Sequence, residues 1–317
     1  MYIMLSKYIN NLIQNIPERD TPYELDVVLE GGVFNGSYEL GILIFLKALE
    51  KKNYLNIKRI SGTSVGAVAA LKYVIDKLET SIENYEKFRK HFRSDFNLEI
   101  LKEIITKDIE NISAEQFDKI KNDVLYINYF DIEKRQHVLE SKYTSKQHLK
   151  NTIMKSCHIP FLSNGTCCHQ DDDRFLVDGG LPYIFPEREK LPNKHILYIS
   201  VSGLTFSSVP SKLKAMLNTK NEKTIHGRAL EGILDIYTFL LKGKRTAMCS
   251  FVDNWTLSDF ILLRLKSCAL TMVVYFVYLL FIFSKYIIPL AEKSELYHKL
   301  VSIWKDTCKD LFLYFCF

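Results

Sequence analysis

The sequence predicts an α/β fold built on a mainly parallel central sheet, and three observations carry that expectation. Two strand, glycine-turn, helix units follow one another near the N-terminus, strand-like runs return between 124 and 201, and amphipathic helical stretches lie between the two groups. Parallel neighbours need a crossover connection, which is usually a helix.

Residues 1–24 mix Leu, Ile and Met with Lys7, Asn10 and Asn11 and show neither an apolar block nor a small-residue cleavage site. An amphipathic helix stopping near Pro17 is expected there, not a signal peptide. Residues 25–30 form a β-branched run that breaks at Gly31-Gly32, the pattern of a buried strand feeding a glycine loop. From Gly36 the apolar positions Leu40, Leu43, Ile44, Leu46 and Leu49 recur at helical spacing and stop at Lys51-Lys52, where cations suit a helix C-terminus.

The unit then repeats, with a strand over 57–61, a tight turn over 62–66 and a helix rich in small residues over 67–78. The stretch 81–123 reads as charged amphipathic helix that covers the core with Phe88, Phe92, Ile100, Ile104 and Ile105. Strands over 124–129, 136–139, 174–177 and 195–201 extend the sheet, with a helix near 145–155 between them. Strand signals stop at 211, and Ile233, Ile236, Tyr237 and Leu240 fall on one helical stripe. The expected organisation is an N-terminal helix (1–24), a core domain (25–210), a helical extension (211–266), a single transmembrane helix (267–284) and an amphipathic tail (285–317).

At 317 residues, 47% hydrophobic and 25% charged, the chain holds enough apolar surface for a large core, which excludes disorder. The net charge of +5 is spread without a Lys/Arg block, a bias that fits a membrane surface and not a nucleic-acid partner. Seven cysteines without paired spacing suit a reducing compartment. Cys167-Cys168-His169 followed by three aspartates suggests a metal site only weakly, because adjacent cysteines do not readily share one tetrahedral ion. No metal and no cofactor are expected.

Chemistry concentrates in three motifs. Gly62-Thr63-Ser64-Val65-Gly66 is a Gly-x-Ser-x-Gly between an expected strand and helix, where a sharp elbow exposes the serine hydroxyl and the helix dipole favours an alkoxide. The plainer reading makes Ser64 an N-cap between packing glycines. Gly31, Gly32, Val33 and Gly36 form a loop that opens a helix and presents amides to an oxyanion, and parallel pairing sets it beside the elbow. A dinucleotide loop would need Gly-x-Gly-x-x-Gly order, which these residues lack. Asp178-Gly179-Gly180 closes a strand with a carboxylate, as either a base or an Asx-type turn.

In this order and spacing the three motifs resemble the patatin-like phospholipase family, and the likeness covers about 25–203. The stretch Met154-Lys-Ser-Cys-His-Ile-Pro160-Phe-Leu162 and residues 181–186 resemble the family's flanks of its aspartate strand. The resemblance implies a three-layer α/β/α fold with a Ser64–Asp178 dyad that uses no histidine, and acyl esters of membrane glycerolipids as substrates. Calcium is not implied. Two departures from the family pattern stand out. Val33 stands where a third glycine is usual and Asn35 where a cation is usual, and Tyr183-Ile184 replaces an asparagine that supports the aspartate loop.

Residues 267–284 hold 18 residues without a charge, bracketed by Arg264, Lys266 and Lys285, about the minimum for one membrane span. A buried core helix has the same composition. With no signal peptide, the expectation is a membrane-associated protein with a cytosolic catalytic domain. Two rivals stand beside the lipid hydrolase: an inert lipid-binding relative, motivated by Val33 and Asn35, and a Ser-Asp-His hydrolase using His195 or His226.

Overall fold

The computed structural model describes residues 2–17, 21–171, 173–186, 194–205 and 225–291, with scattered positions between 209 and 310. The chain runs α1 (Tyr2–Ile13), β1 (Tyr23–Leu29), α2 (Gly36–Lys51), β2 (Leu55–Gly62), α3 (Val65–Val74), α4 (Ser81–Asp95), α5 (Ile100–Glu110) and α6 (Ala114–Ile120). It continues through β3 (Asn122–Asp131), β4 (Gln136–Lys142), α7 (Lys146–Ser156), β5 (His169–Asp171), β6 (Arg174–Asp178) and β7 (Lys194–Ile199). After these come α8 (Ile225–Lys242), β8 (Cys249–Phe251) and α9 (Leu257–Ala291).

Among the described residues the strands form one sheet in the order β5-β6-β3-β2-β1-β7-β8, with β4 also on β3. The centre, β3-β2-β1-β7, is parallel, and β4, β5, β6 and β8 are antiparallel additions. The predicted α/β class is borne out: a mostly parallel sheet flanked by helices. β1 reads Leu25-Asp-Val-Val-Leu29, apolar on both faces as a central parallel strand requires. Val27 packs into the large core with α2, α3, α7 and α8, while Val28 packs on the other face with Ile196, Tyr198, Phe185 and the α9 residue Leu263.

Of the expected extension 211–266, residues 212–224 lie outside the described residues. In the described part, β8 pairs with β7 at the sheet edge, and α8 buries Ile233 and Ile236 in the same core as β1. β8 has three residues, too few to show an alternation in sequence. Helices α2 and α8 meet backbone to backbone, since a Cβ on Gly41 would fall within 3.0 Å of the Ala229 carbonyl.

The hydrophobic segment expected over 267–284 lies inside a longer helix, α9. Within it, Leu257–Phe283 is long and apolar enough to cross a membrane. One face of α9 rests along the body, where Val274, Val277 and Phe281 pack on Phe130 and Val177. The expected tail begins in α9, and 311–317 lie outside the described residues.

Candidate active site

The registers bring the three motifs together. Leu29 pairs with Gly62, so β1 and β2 end at the same level and the loop after β1 abuts the elbow after β2. A Cβ on Gly31 would stand 2.8 Å from the Ser64 Cβ, which is why this position carries no side chain. β3 overhangs β2, with Ile127 opposite Gly62 and the strand running on to Asp131. β6 returns antiparallel along that overhang and ends with Asp178 opposite Tyr129, two residues above the Gly62 level. That return sets the carboxylate beside the elbow.

Ser64 has φ 55 and ψ −130, a left-handed backbone that a non-glycine residue adopts only under constraint. The constraint is visible. The Ser64 amide donates to Ser156 Oγ at 2.9 Å, Ser156 Oγ donates to the Asn128 carbonyl at 2.8 Å, and Cys157 Sγ donates to the Ser64 carbonyl at 3.2 Å. Gly62 and Gly66 face each other closely, a Cβ on Gly62 falling within 3.0 Å of the Gly66 carbonyl.

The Ser64 side chain lies beside the Asp178 carboxylate on one cavity wall, and the Gly180 amide donates to Asp178 Oδ1 at 2.7 Å. Burial pushes the Asp178 carboxyl up to about 6, against the opposing pull of the neighbouring Ser64 hydroxyl and the Gly180 amide. A base of that strength suits a serine hydroxyl near neutral pH better than an ordinary carboxylate. The Asp178 amide donates to the His158 carbonyl at 2.9 Å, and burial pushes the His158 imidazole down to about 4, so it is neutral.

Gly31, Gly32 and Val33 line a cavity of about 700 Å³ together with Ser64 and Asp178. Its remaining wall is largely apolar and comes from α9, including Leu262, Leu270 and Val274. Ser64 also lines a second, narrower apolar cavity with Val68, Phe88 and Leu101 of α3, α4 and α5. Gly36 opens α2. Val33 has φ 44, so the residue at the family's third glycine takes a glycine conformation.

The two departures noted in sequence are compensated from elsewhere in the fold. Asn35 donates to the Val201 carbonyl at 2.9 Å and accepts from buried Arg228 of α8 at 3.1 Å, so the cation missing from the loop arrives from another helix. The missing asparagine after Gly180 is replaced by Asn128 of β3, whose Nδ2 donates to the Leu181 carbonyl at 2.7 Å. Neither residue was singled out in sequence. An asparagine interrupting the apolar run 124–130 was the available signal. Lys266 of α9 donates to Ser202 Oγ at 2.7 Å and the Gly203 carbonyl at 2.6 Å, and it pairs with Glu30 at 3.3 Å.

The histidine alternative does not fit this geometry. His195 pairs with Leu25 at the far end of β1, about 13 Å below the Leu29 level, and hydrogen-bonds Asp253 at 3.0 Å. His226 stands in the first turn of α8 and lines neither cavity that holds Ser64. Among the described residues no group of His, Cys, Asp and Glu is placed to hold a metal ion.

A strained serine on a parallel-sheet elbow, beside an aspartate and facing a glycine loop, is similar to a patatin-like arrangement. In agreement, residues 27–158 match the family model described as patatin-like phospholipase. Asp178 lies beyond the matched stretch. No curated protein matches the chain. Among solved structures, VipD from Legionella pneumophila is similar at 12% identity and a TM-score of 0.29, over 57% of this chain and 52% of that one. The chain thus spans about half of VipD, and so loose a likeness adds nothing to the site.

Proposed function

We propose that the protein is a serine lipid acyl hydrolase that cleaves glycerolipid acyl esters with Ser64 as nucleophile and Asp178 as base. The observation that carries this reading is Ser64 beside the Asp178 carboxylate, which burial raises to about 6, on one largely apolar cavity shared with the Gly31-Gly32-Val33 loop. Ser64 attacks the ester carbonyl as Asp178 takes its proton, and amides of the glycine loop stabilise the oxyanion. Asp178 returns the proton to the leaving alcohol and then activates the water that releases the fatty acid. The apolar wall keeps bulk water from the carboxylate and accepts acyl chains. Residues 25–203 with α8 and β8 form the catalytic unit, and α9 holds it at a membrane.

The test is fatty-acid release from mixed phospholipid vesicles by the wild type, Ser64→Ala and Asp178→Asn with chelator present. Release by the wild type and its loss in both variants is expected. No release by any of the three, across several lipids, replaces this reading with an inert lipid-binding protein.

A further inference from the structure

Helix α9 is apolar on two opposite faces, and only one is used. At 100° per residue, Leu262, Lys266, Leu270, Val274, Val277 and Phe281 fall on one side, and these line the Ser64 cavity or pack on Phe130, Phe175 and Val177. Ile261, Leu265, Met272, Phe276, Leu279 and Phe283 fall on a stripe roughly 150° away. Among the described residues nothing covers that stripe: Met272 is 66% exposed, Phe276 and Leu279 63%, and Phe283 64%. From 267 to 283 the helix has no charge. A row of large apolar side chains this long is not left to water in a monomer.

Two further observations identify what covers it. Leu265 and Val273 line the catalytic cavity and are also more than half exposed, so the rim of the cavity and the edge of the stripe are one continuous surface. Exposed Arg264, and Lys244 beside the Arg245–Asp259 pair that ties the preceding loop to the start of α9, place cations near one end of the stripe. An apolar stripe with flanking cations that runs into an acyl-sized cavity matches a lipid leaflet with anionic headgroups.

The docked helix cannot also cross the bilayer. Its body-facing side is in contact from Leu262 to Phe281, about 28 Å of helix and nearly the full hydrocarbon thickness. Spanning in this state would carry β5, β6 and the exposed turn residues Glu133, Lys134 and Arg135 into hydrocarbon.

We propose that α9 lies flat in one leaflet, with the 261–283 stripe inserted among acyl chains, while its opposite face walls the catalytic cavity. A lipid chain then passes over the Leu265–Val273 rim to Ser64 without crossing water. The substrate part of this statement rests on the hydrolase reading; the membrane geometry does not.

The experiment uses the full-length Ser64→Ala chain with Cys308 and Cys316 changed to Ser, on vesicles of phosphatidylcholine with one-fifth phosphatidylglycerol. Nitroxide labels are placed at Ile261→Cys, native Cys268, Phe276→Cys and Phe283→Cys, and depth is read by collisional accessibility. All four labels at one shallow depth, 5–10 Å below the headgroups, are the expected result. A depth that changes steadily along the helix, whose ends lie about 33 Å apart, overturns the proposal in favour of a span. So does a stripe shielded from both lipid and water in a dimeric protein, which makes a second copy the occupant.

A second arm uses Met272→Asp/Phe276→Asp with Ser64 intact. Vesicle binding should weaken at least tenfold while hydrolysis of a soluble short-chain ester stays within twofold. Unchanged binding, or loss of ester hydrolysis in step with binding, overturns the proposal. If the unsubstituted chain hydrolyses no ester, the hydrolase reading fails while the depth profile still decides the geometry.

Discussion

Replacing Asp178 with Asn should make the protein more stable and inactive at once. The Asp178 carboxyl is half-buried on the cavity wall, and burial raises it to about 6 in the folded chain. An unfolded aspartate titrates near 3.9, so holding the ionised form in the fold costs about 3 kcal/mol once the pH is well above 6. The sign follows from the direction of the shift. A carboxyl raised on folding contributes stability that is complete below about pH 4 and lost as pH rises through about 6. Asn carries no charge to bury, and its Oδ1 still accepts the Gly180 amide.

Asp178→Asn should therefore exceed the wild type by about 1–3 kcal/mol at pH 8 and by nothing at pH 4, read from denaturant midpoints at pH 4, 6 and 8. Hydrolysis should fall about 10²–10⁴-fold, the usual range for loss of a general base. In the wild type, kcat/KM should be level above pH 7 and drop tenfold per unit below about 6. A variant less stable than the wild type at pH 8, or a gap independent of pH, would refute the reasoning that a buried, ionised Asp178 is the base.

Three other outcomes follow from the same geometry. Asn128→Ala removes the donor to the Leu181 carbonyl, and should cost about 1–2 kcal/mol of stability and at least tenfold in kcat, with less effect on KM, by steady-state kinetics. Val33→Gly relieves a left-handed β-branched residue worth about 1–2 kcal/mol but adds unfolded-state entropy of about 0.5–1 kcal/mol, so its thermal midpoint should move by only a few degrees while activity is kept. A tenfold loss of activity there would show that the valine side chain itself is needed. Gly41→Ala drives a methyl into the Ala229 backbone and should destabilise by about 1–3 kcal/mol or more, measured by chemical denaturation. Because α8 carries Arg228 to the glycine loop, activity should fall with it.

The sequence by itself determined what short-range pattern controls. Short β-branched runs broken by glycine, helical spacing and a small-residue stretch placed β1, α2, β2 and α3, and the strand-turn-helix repeat implied a parallel centre because such connections cross over. Ser64, the loop from Gly31 and the Asp178-Gly179-Gly180 turn were legible because each is a local backbone demand met by glycine. Pairing direction and long-range partners left no such trace. That β6 returns antiparallel along the β3 overhang, that a three-residue β8 closes the edge, and that Asn128, Ser156 and Arg228 support the site all depend on neighbours distant in sequence. The apolar segment after 266 marks the sharpest limit, because an uncharged helix reads the same whether protein or lipid lies beside it. Only the tertiary structure set one of its faces on the Ser64 cavity and, among the described residues, left the other exposed.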